Sequence, residues 1–236
     1  QIREIDYSIE YGKSYKEGEG VCYELITSKK RRWWNAHWEF YSRLLRETLK
    51  DKRILVIGCG YGDDGVLLAK LGAHVYAFDL SPERIEIARN KASLAEVLVD
   101  FQVMAAESLE YPDEFFDYVV AVDILHHVDL PIVMKEVRRV SKREGIFIAN
   151  EVYSHSWTDY IRHCAMVEKI IYPKLEKFVY KNDNPYITPD ERKLTQRDIA
   201  EIKSYLKNTR CDYYNFFVTR IFPNSIALLN KTDALL

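Results

Sequence analysis

Short runs of branched apolar residues alternate along this chain with segments whose apolar residues recur at helical spacing, and few folds accept that order. Arg53-Ile54-Leu55-Val56-Ile57-Gly58 enters glycines as a buried parallel strand would. Gly65 to Leu71 follows with helical spacing and stops at Gly72. His74 to Asp79 reads as a second strand; Ser81 is then a good N-cap and Pro82 suits the first position of a charged amphipathic helix reaching about Lys91. Strands near Val99 to Met104 and Phe116 to Val122, a helix from Pro131 to Val140 and a strand at Gly145 to Asn150 continue the alternation. The connections are too long for hairpins, so the order predicts a parallel α/β sheet with helices on both faces and ligands beyond the carboxyl ends of the strands.

Two regions stand outside that rhythm. Residues 1–50 hold an aromatic helix around Trp33-Trp34-Asn35-Ala36-His37-Trp38-Glu39-Phe40-Tyr41, and residues 151–194 form a polar, aromatic insertion. After the insertion, Thr195-Gln196-Arg197-Asp198 has capping-box spacing and opens a helix to about Leu206. Strands near Asp212 to Val218 and Ser225 to Leu229 would close the sheet as an antiparallel pair. With 236 residues, 47% of them hydrophobic, the whole is expected to be one domain. It divides into an N-terminal helical cap (1–50), a ligand-binding core (51–150), the insertion (151–194) and closing elements (195–236).

Composition narrows the partners. Lys and Arg total 34 against 36 Asp and Glu, a formal charge of -2, which disfavours gripping a nucleic acid. Cys22, Cys59, Cys164 and Cys211 lie far apart without a C-x-x-C pair, so neither a disulfide framework nor a metal site is expected. No apolar run reaches membrane-spanning length and the N-terminus lacks signal-peptide order, so a cytoplasmic setting is expected.

The turn Gly58-Cys59-Gly60-Tyr61-Gly62-Asp63-Asp64-Gly65 joins the first strand to the first helix, where glycines let a ligand reach the backbone. Alone it is a weak signal. Asp79 strengthens it: the residue ends the next strand, 17 residues after Gly62, where a carboxylate can accept from both hydroxyls of a ribose. A nucleoside-bearing cofactor follows. The dinucleotide fingerprint needs glycine at position 63, and Asp63 with Asp64 would repel a diphosphate; no Gly-Lys-Ser/Thr follows to make a P-loop. S-adenosylmethionine has no phosphate and brings a sulfonium and an ammonium, which an acidic turn tolerates. The competing interpretation is a tight turn without a ligand, and for Asp79 a helix N-cap.

Val56 to Gly62, Asp79, Ala105-Ala106-Glu107 and Phe116-Asp117-Tyr118-Val119-Val120 through His127-Val128 resemble, in order and spacing, the motifs of class I S-adenosylmethionine-dependent methyltransferases. The resemblance covers roughly residues 50–150. It implies a Rossmann-like sheet of seven strands, mostly parallel, with the last antiparallel. It also implies that Gly58, Cys59, Gly60 and Gly62 line the methionine end, Asp79 holds the ribose, Leu80 packs on the adenine face and Ala106 and Glu107 meet the adenine edge. Asp123, after the fourth strand, joins this cofactor-binding set. Two departures stand out: Ala105 replaces an Asp common in relatives, and Ser141-Lys142-Arg143-Glu144-Gly145 replaces a Lys-Pro-Gly-Gly turn between helix and strand.

Methyl transfer from a sulfonium is an in-line displacement, so alignment and exclusion of water matter most and a base is optional. His126 and His127 follow the fourth strand, beside the expected methyl, and are the candidate bases, with His126 slightly favoured. Packing at the strand end is the alternative for either. Tyr153, Trp157, Tyr160, His163 and Tyr172, with the N-terminal aromatic helix, are candidates for an acceptor pocket, and Tyr15 for a residue closing over the cofactor, although aromatics at helical spacing are commonly core. Asn184-Pro185-Tyr186 matches the adenine-methylating Asn-Pro-Pro-Tyr signature only in part and in the wrong place, and Lys29-Lys30-Arg31-Arg32 reads as a solvated helix start. The expected activity is methyl transfer from S-adenosylmethionine, with S-adenosylhomocysteine as product, to oxygen or nitrogen of a small, partly apolar or aromatic molecule. An RNA methyltransferase, an NAD-dependent oxidoreductase and a non-catalytic cofactor-binding regulatory protein are the rivals.

Overall fold

Among the described residues, five strands build one sheet in the order β3-β2-β1-β4-β5, and every pairing is parallel. They are β1 (Arg53–Ile57), β2 (His74–Asp79), β3 (Val99–Val103), β4 (Phe116–Val122) and β5 (Ser141–Asn150). The computed structural model describes residues 21–153 and 193–214. Its helices are α1 (Glu24–Thr27), α2 (Ala36–Leu44), α3 (Asp63–Lys70), α4 (Pro82–Leu94), α5 (Leu130–Val140) and α6 (Gln196–Tyr205).

Alternation along the strands assigns each face its own core. Ile54, Val56, Val75, Ala77, Tyr118 and Val120 point to the side covered by α2, α3 and α4. Leu55, Ile57, Phe78, Val119 and Ala121 point to the opposite side, where α5 contributes Val133, Met134, Val137 and Val140. Both faces are therefore dry, which is why β1 and β4 are written as unbroken apolar runs. Truncating a fully buried residue such as Leu55 to Ala would cost about 2–5 kcal/mol.

The helix ends follow local chemistry. Ser81 accepts from the Arg84 amide to start α4, Asp129 accepts from Ile132 to start α5, and Thr195 with Asp198 forms the expected capping box of α6. α4 continues past Lys91 to Leu94. The aromatic helix begins later than the sequence implies: Asn35 caps Trp38, so Trp33 and Trp34 precede α2. Trp38, Phe40 and Tyr41 are buried core residues. The basic run does not start a helix either. Arg31 donates to the carbonyls of Leu25 and Trp38 and to the Ser42 hydroxyl, and the guanidinium groups of Arg31 and Arg32 both lie over the Trp38 ring, while Lys29 and Lys30 are exposed.

The segment expected as a turn, Ser141 to Gly145, belongs to β5. Ser141 pairs with Phe116 and Ile146 with Tyr118, so β5 bulges across this stretch. Lys142 reaches Asp117 at 2.7 Å, and Asp117 also accepts from the Arg53 amide at 2.9 Å. These contacts fasten the bulge to β4 and β1. Among the described residues the sheet has five strands rather than seven, and residues 212–214 are not in a strand. The remainder of that expected strand, and the one at 225–229, lie outside the described residues.

The register places Ile57 opposite both Phe78 and Ala121. Strands β1, β2 and β4 therefore end level, and the strand order reverses direction between β1 and β4. The segments after these three strands emerge side by side where parallel sheets seat their ligands.

Candidate active site

Gly58, Gly60 and Gly62 all have positive φ (60°, 51° and 83°), the region that favours glycine. Their surroundings differ. A Cβ on Gly58 would stand 2.5 Å from Ile124 Cγ1, and one on Gly62 would stand 2.5 Å from the Ala88 methyl. These two glycines let the first turn pack against the segment after β4 and let α3 approach α4. A Cβ on Gly60 would meet nothing within 4 Å. Gly60 is thus the point where the turn opens to space that a ligand can enter. Cys59 is buried, its amide donates to the Phe78 carbonyl at 2.8 Å, and burial pushes its thiol well above the ordinary range.

Asp79 organises this opening from below. It is 6% exposed; one carboxylate oxygen accepts from the Gly60 amide at 2.9 Å and the other from the Ser81 amide at 3.0 Å. Ser81, not Asp79, caps α4. Arg84 Nη1 also stands 3.8 Å from the oxygen that the Gly60 amide holds, and a carboxylate, with about four acceptor sites, keeps capacity for further donors. Leu80 follows, half-buried, and Ala106, shortly after the end of the neighbouring β3, is buried. Glu107 is half-buried and accepts from the Asp129 amide at 3.4 Å. Arg139 anchors this edge by donating to the carbonyls of Leu109 and Tyr111 and to Glu136 and Asp113.

The turn is less acidic than its sequence implies. Lys91 on α4 contacts both oxygens of Asp63, at 2.8 and 3.0 Å, because the Gly62–Ala88 contact brings α3 and α4 together. Asp64 accepts from the buried Tyr41 hydroxyl. Burial raises the Asp64 carboxyl above its ordinary range, against the lowering effect of that hydrogen bond, and burial also pushes the Tyr41 hydroxyl far up. Sequence reasoning misses both Lys91 and Tyr41, because each partnership joins elements distant along the chain.

The third wall follows β4. Asp123 has φ 50° and its amide donates to the Asn150 carbonyl at 2.9 Å, stitching the ends of β4 and β5. Leu125 to His127 form a 3-10 turn. His126 is 5% exposed, and its Nδ1 lies 2.8 Å from Glu151 Oε2. Glu151 Oε1 accepts from the amides of Ile124 and Leu125 at 2.8 and 2.7 Å. His127 is half-buried with its ring centroid 3.9 Å from that of His126. Desolvation first, and then the Glu151 charge, raise the Asp123 carboxyl, while His126 and His37 of α2 oppose the rise. Sequence reasoning misses Glu151 as well; the available signal is an acid immediately after a strand end on the ligand-binding edge.

Of the expected acceptor-pocket residues, Tyr153 forms an isolated bridge with Leu194 and its ring lies 5.0 Å from that of Tyr213. Tyr15, Trp157, Tyr160, His163, Tyr172 and Asn184-Pro185-Tyr186 lie outside the described residues. Among the described residues no group of three His, Cys, Asp or Glu side chains is placed to hold a metal ion.

Residues 55–149 match the family model described as a methyltransferase domain. A ubiquinone biosynthesis O-methyltransferase of Xylella fastidiosa is 33% identical over 134 residues, covering 50% of this chain and 52% of the relative. One from Azorhizobium caulinodans is 36% identical over 115 residues, covering 48% and 45%. The chain spans about half the length of the curated relatives it matches. Among solved structures, the PH0226 protein of Pyrococcus horikoshii OT3 is 23% identical, with a TM-score of 0.57 over 88% of this chain and 94% of that one, and shares the fold.

Proposed function

We propose that this chain, whose residues 55–149 match a methyltransferase domain, is a class I S-adenosylmethionine-dependent methyltransferase and moves a methyl group from S-adenosylmethionine to an oxygen of a small, partly apolar or aromatic molecule. The observation that carries this is the open space at Gly60, whose amide the buried Asp79 carboxylate holds at the carboxyl ends of the strands. Oxygen is preferred over nitrogen because the curated relatives are O-methyltransferases by name.

Gly58, Cys59, Gly60 and Gly62 form the turn around the methionine end, and Asp123, at the end of β4, is the carboxylate offered to a cation. Asp79 holds the ribose hydroxyls, and Leu80, Ala106 and Glu107 take the adenine. The bound sulfonium supplies the methyl together with its own leaving group. The residues of the chain align the acceptor and exclude water, and His126, or His127 beside it, takes the hydroxyl proton as the oxygen attacks. No described helix is long and apolar enough to cross a membrane, and the dispersed cysteines suit a cytoplasmic setting.

Calorimetry with S-adenosylmethionine, S-adenosylhomocysteine and NAD tests the cofactor: the first two should bind and NAD should not. Absence of binding by both sulfur nucleosides refutes the proposal.

A further inference from the structure

We infer that Glu151 is the positioning residue that makes His126 a base, by fixing its tautomer and ring orientation; this rests on the function proposed above. The two oxygens of Glu151 divide the work. Oε1 takes the amides of Ile124 and Leu125, which holds the main chain of the turn carrying the histidine. Oε2 takes Nδ1 of the ring at 2.8 Å. A carboxylate can only accept, so Nδ1 carries the proton, and in the neutral ring the lone pair is left on Nε2, the nitrogen able to receive a proton from an acceptor hydroxyl. Were Glu151 only a cap for the turn, Oε1 alone would satisfy both amides.

The surroundings make the arrangement rigid. The side chains of His126 and Glu151 are 4% and 7% exposed, so water does not compete for Nδ1. The Asp123 amide bonded to the Asn150 carbonyl ties the end of β4 to the end of β5, fixing Glu151 relative to the turn. Among the described residues, Glu151 from the end of β5 and the His127 ring contact His126, and Asp123 at the end of β4 interacts electrostatically with it; His37 of α2 and Asp64 of α3 act in turn on Asp123. A buried imidazole that gains a proton beside Glu151 becomes half of an ion pair, so the carboxylate also stabilises the state reached after proton transfer.

Glu151→Gln separates positioning from mere support. Its amide oxygen can keep the two backbone donors, which turns the amide nitrogen toward Nδ1. Nδ1 must then accept, and the proton moves to Nε2. Methyl transfer from S-adenosylmethionine to catechol, followed across about pH 5 to 9 in the full chain, is the assay. We expect Glu151→Gln to lower kcat by about 100-fold while KM for S-adenosylmethionine changes by less than about twofold, and to move the acidic limb of kcat/KM about one pH unit lower. Glu151→Asp, which keeps the carboxylate, should recover much of the rate, and serves if the amide variant fails to fold. A Glu151→Gln protein with unchanged kcat, or one that loses rate only through KM or thermal stability with the limb unmoved, overturns the inference. If catechol is not turned over, nitrogen-15 NMR of the histidines decides. A proton on Nδ1 of His126 that shifts to Nε2 in Glu151→Gln supports the inference; a proton on Nε2 in the wild type overturns it. Failure of the underlying function looks different: S-adenosylhomocysteine does not bind, or His126→Ala keeps the full rate.

Discussion

Gly60 and Gly62 share a conformation and differ in what surrounds them, so alanine at each position distinguishes a ligand seat from a packing contact. At Gly62, φ is 83° and the new methyl would lie 2.5 Å from the Ala88 methyl and 3.0 Å from Phe101 Cζ. The left-handed conformation costs about 1–2 kcal/mol and the overlap about 1–3 kcal/mol more, because α3 and α4 must separate. At Gly60, φ is 51° and the methyl meets no atom within 4 Å. Only the conformational cost applies there, offset in part by about 0.4–1 kcal/mol from the stiffer unfolded chain. At about 2–4 °C per kcal/mol for a chain of this size, Gly62→Ala should melt roughly 10 °C below wild type and Gly60→Ala only a few degrees below. Binding should rank the other way. The methyl that Gly60→Ala adds projects into the opening beside the amide that Asp79 holds, so calorimetric affinity for S-adenosylhomocysteine should fall at least about tenfold, equivalent to about 1.4 kcal/mol. A Gly60→Ala protein that binds S-adenosylhomocysteine as tightly as wild type would show that the opening at Gly60 is not where the ligand sits.

Other perturbations test the remaining walls of the site. Burial raises the Asp64 carboxyl, so the folded chain keeps a proton that the unfolded chain releases from about pH 4 upward. Stability contributed by that proton is present at low pH and is lost as pH rises through the raised folded value. Asp64→Asn retains an oxygen for the Tyr41 hydroxyl without a charge, so it should melt above wild type at pH 7; a lower melting temperature at every pH would refute this. Arg139→Ala leaves the Leu109 and Tyr111 carbonyls without this donor and Glu136 with only the Leu109 amide, and should cost about 2–3 kcal/mol in urea unfolding while weakening S-adenosylhomocysteine binding through the Ala106–Glu107 edge. A loss below about 0.5 kcal/mol would mean that water replaces the guanidinium without penalty. His126→Ala should reduce methyl transfer by about 100-fold or more with cofactor affinity retained, and His127→Ala by much less; full rate in both removes the base from the proposal.

Local chemistry determined the elements. Branched runs entering glycine, Ser81 before Pro82, and Thr195 three residues before Asp198 each name a strand or a helix start through interactions spanning a few residues, and the structure places them there. For the same reason the Gly58–Gly62 turn and Asp79 mark one edge of the sheet. The departures are places where partners come from far along the chain. The bulge at Ser141 to Gly145 exists because β5 must align with β4, and Trp33 and Trp34 stay outside α2 because Asn35 caps it. In the sequence Asp63 and Asp64 are two free charges; in the folded chain Lys91 takes one and Tyr41 the other. Glu151 lies 25 residues from His126, and only the level ending of β4 and β5 brings its carboxylate to the ring. The sequence by itself determined the five strands of the parallel sheet and the helices between them, because hydrophobic period and caps act locally. Tertiary structure alone decided which charges remain at the edge marked by the Gly58–Gly62 turn and which nitrogen of His126 is held, because electrostatic partnership depends on distance in space and not along the chain.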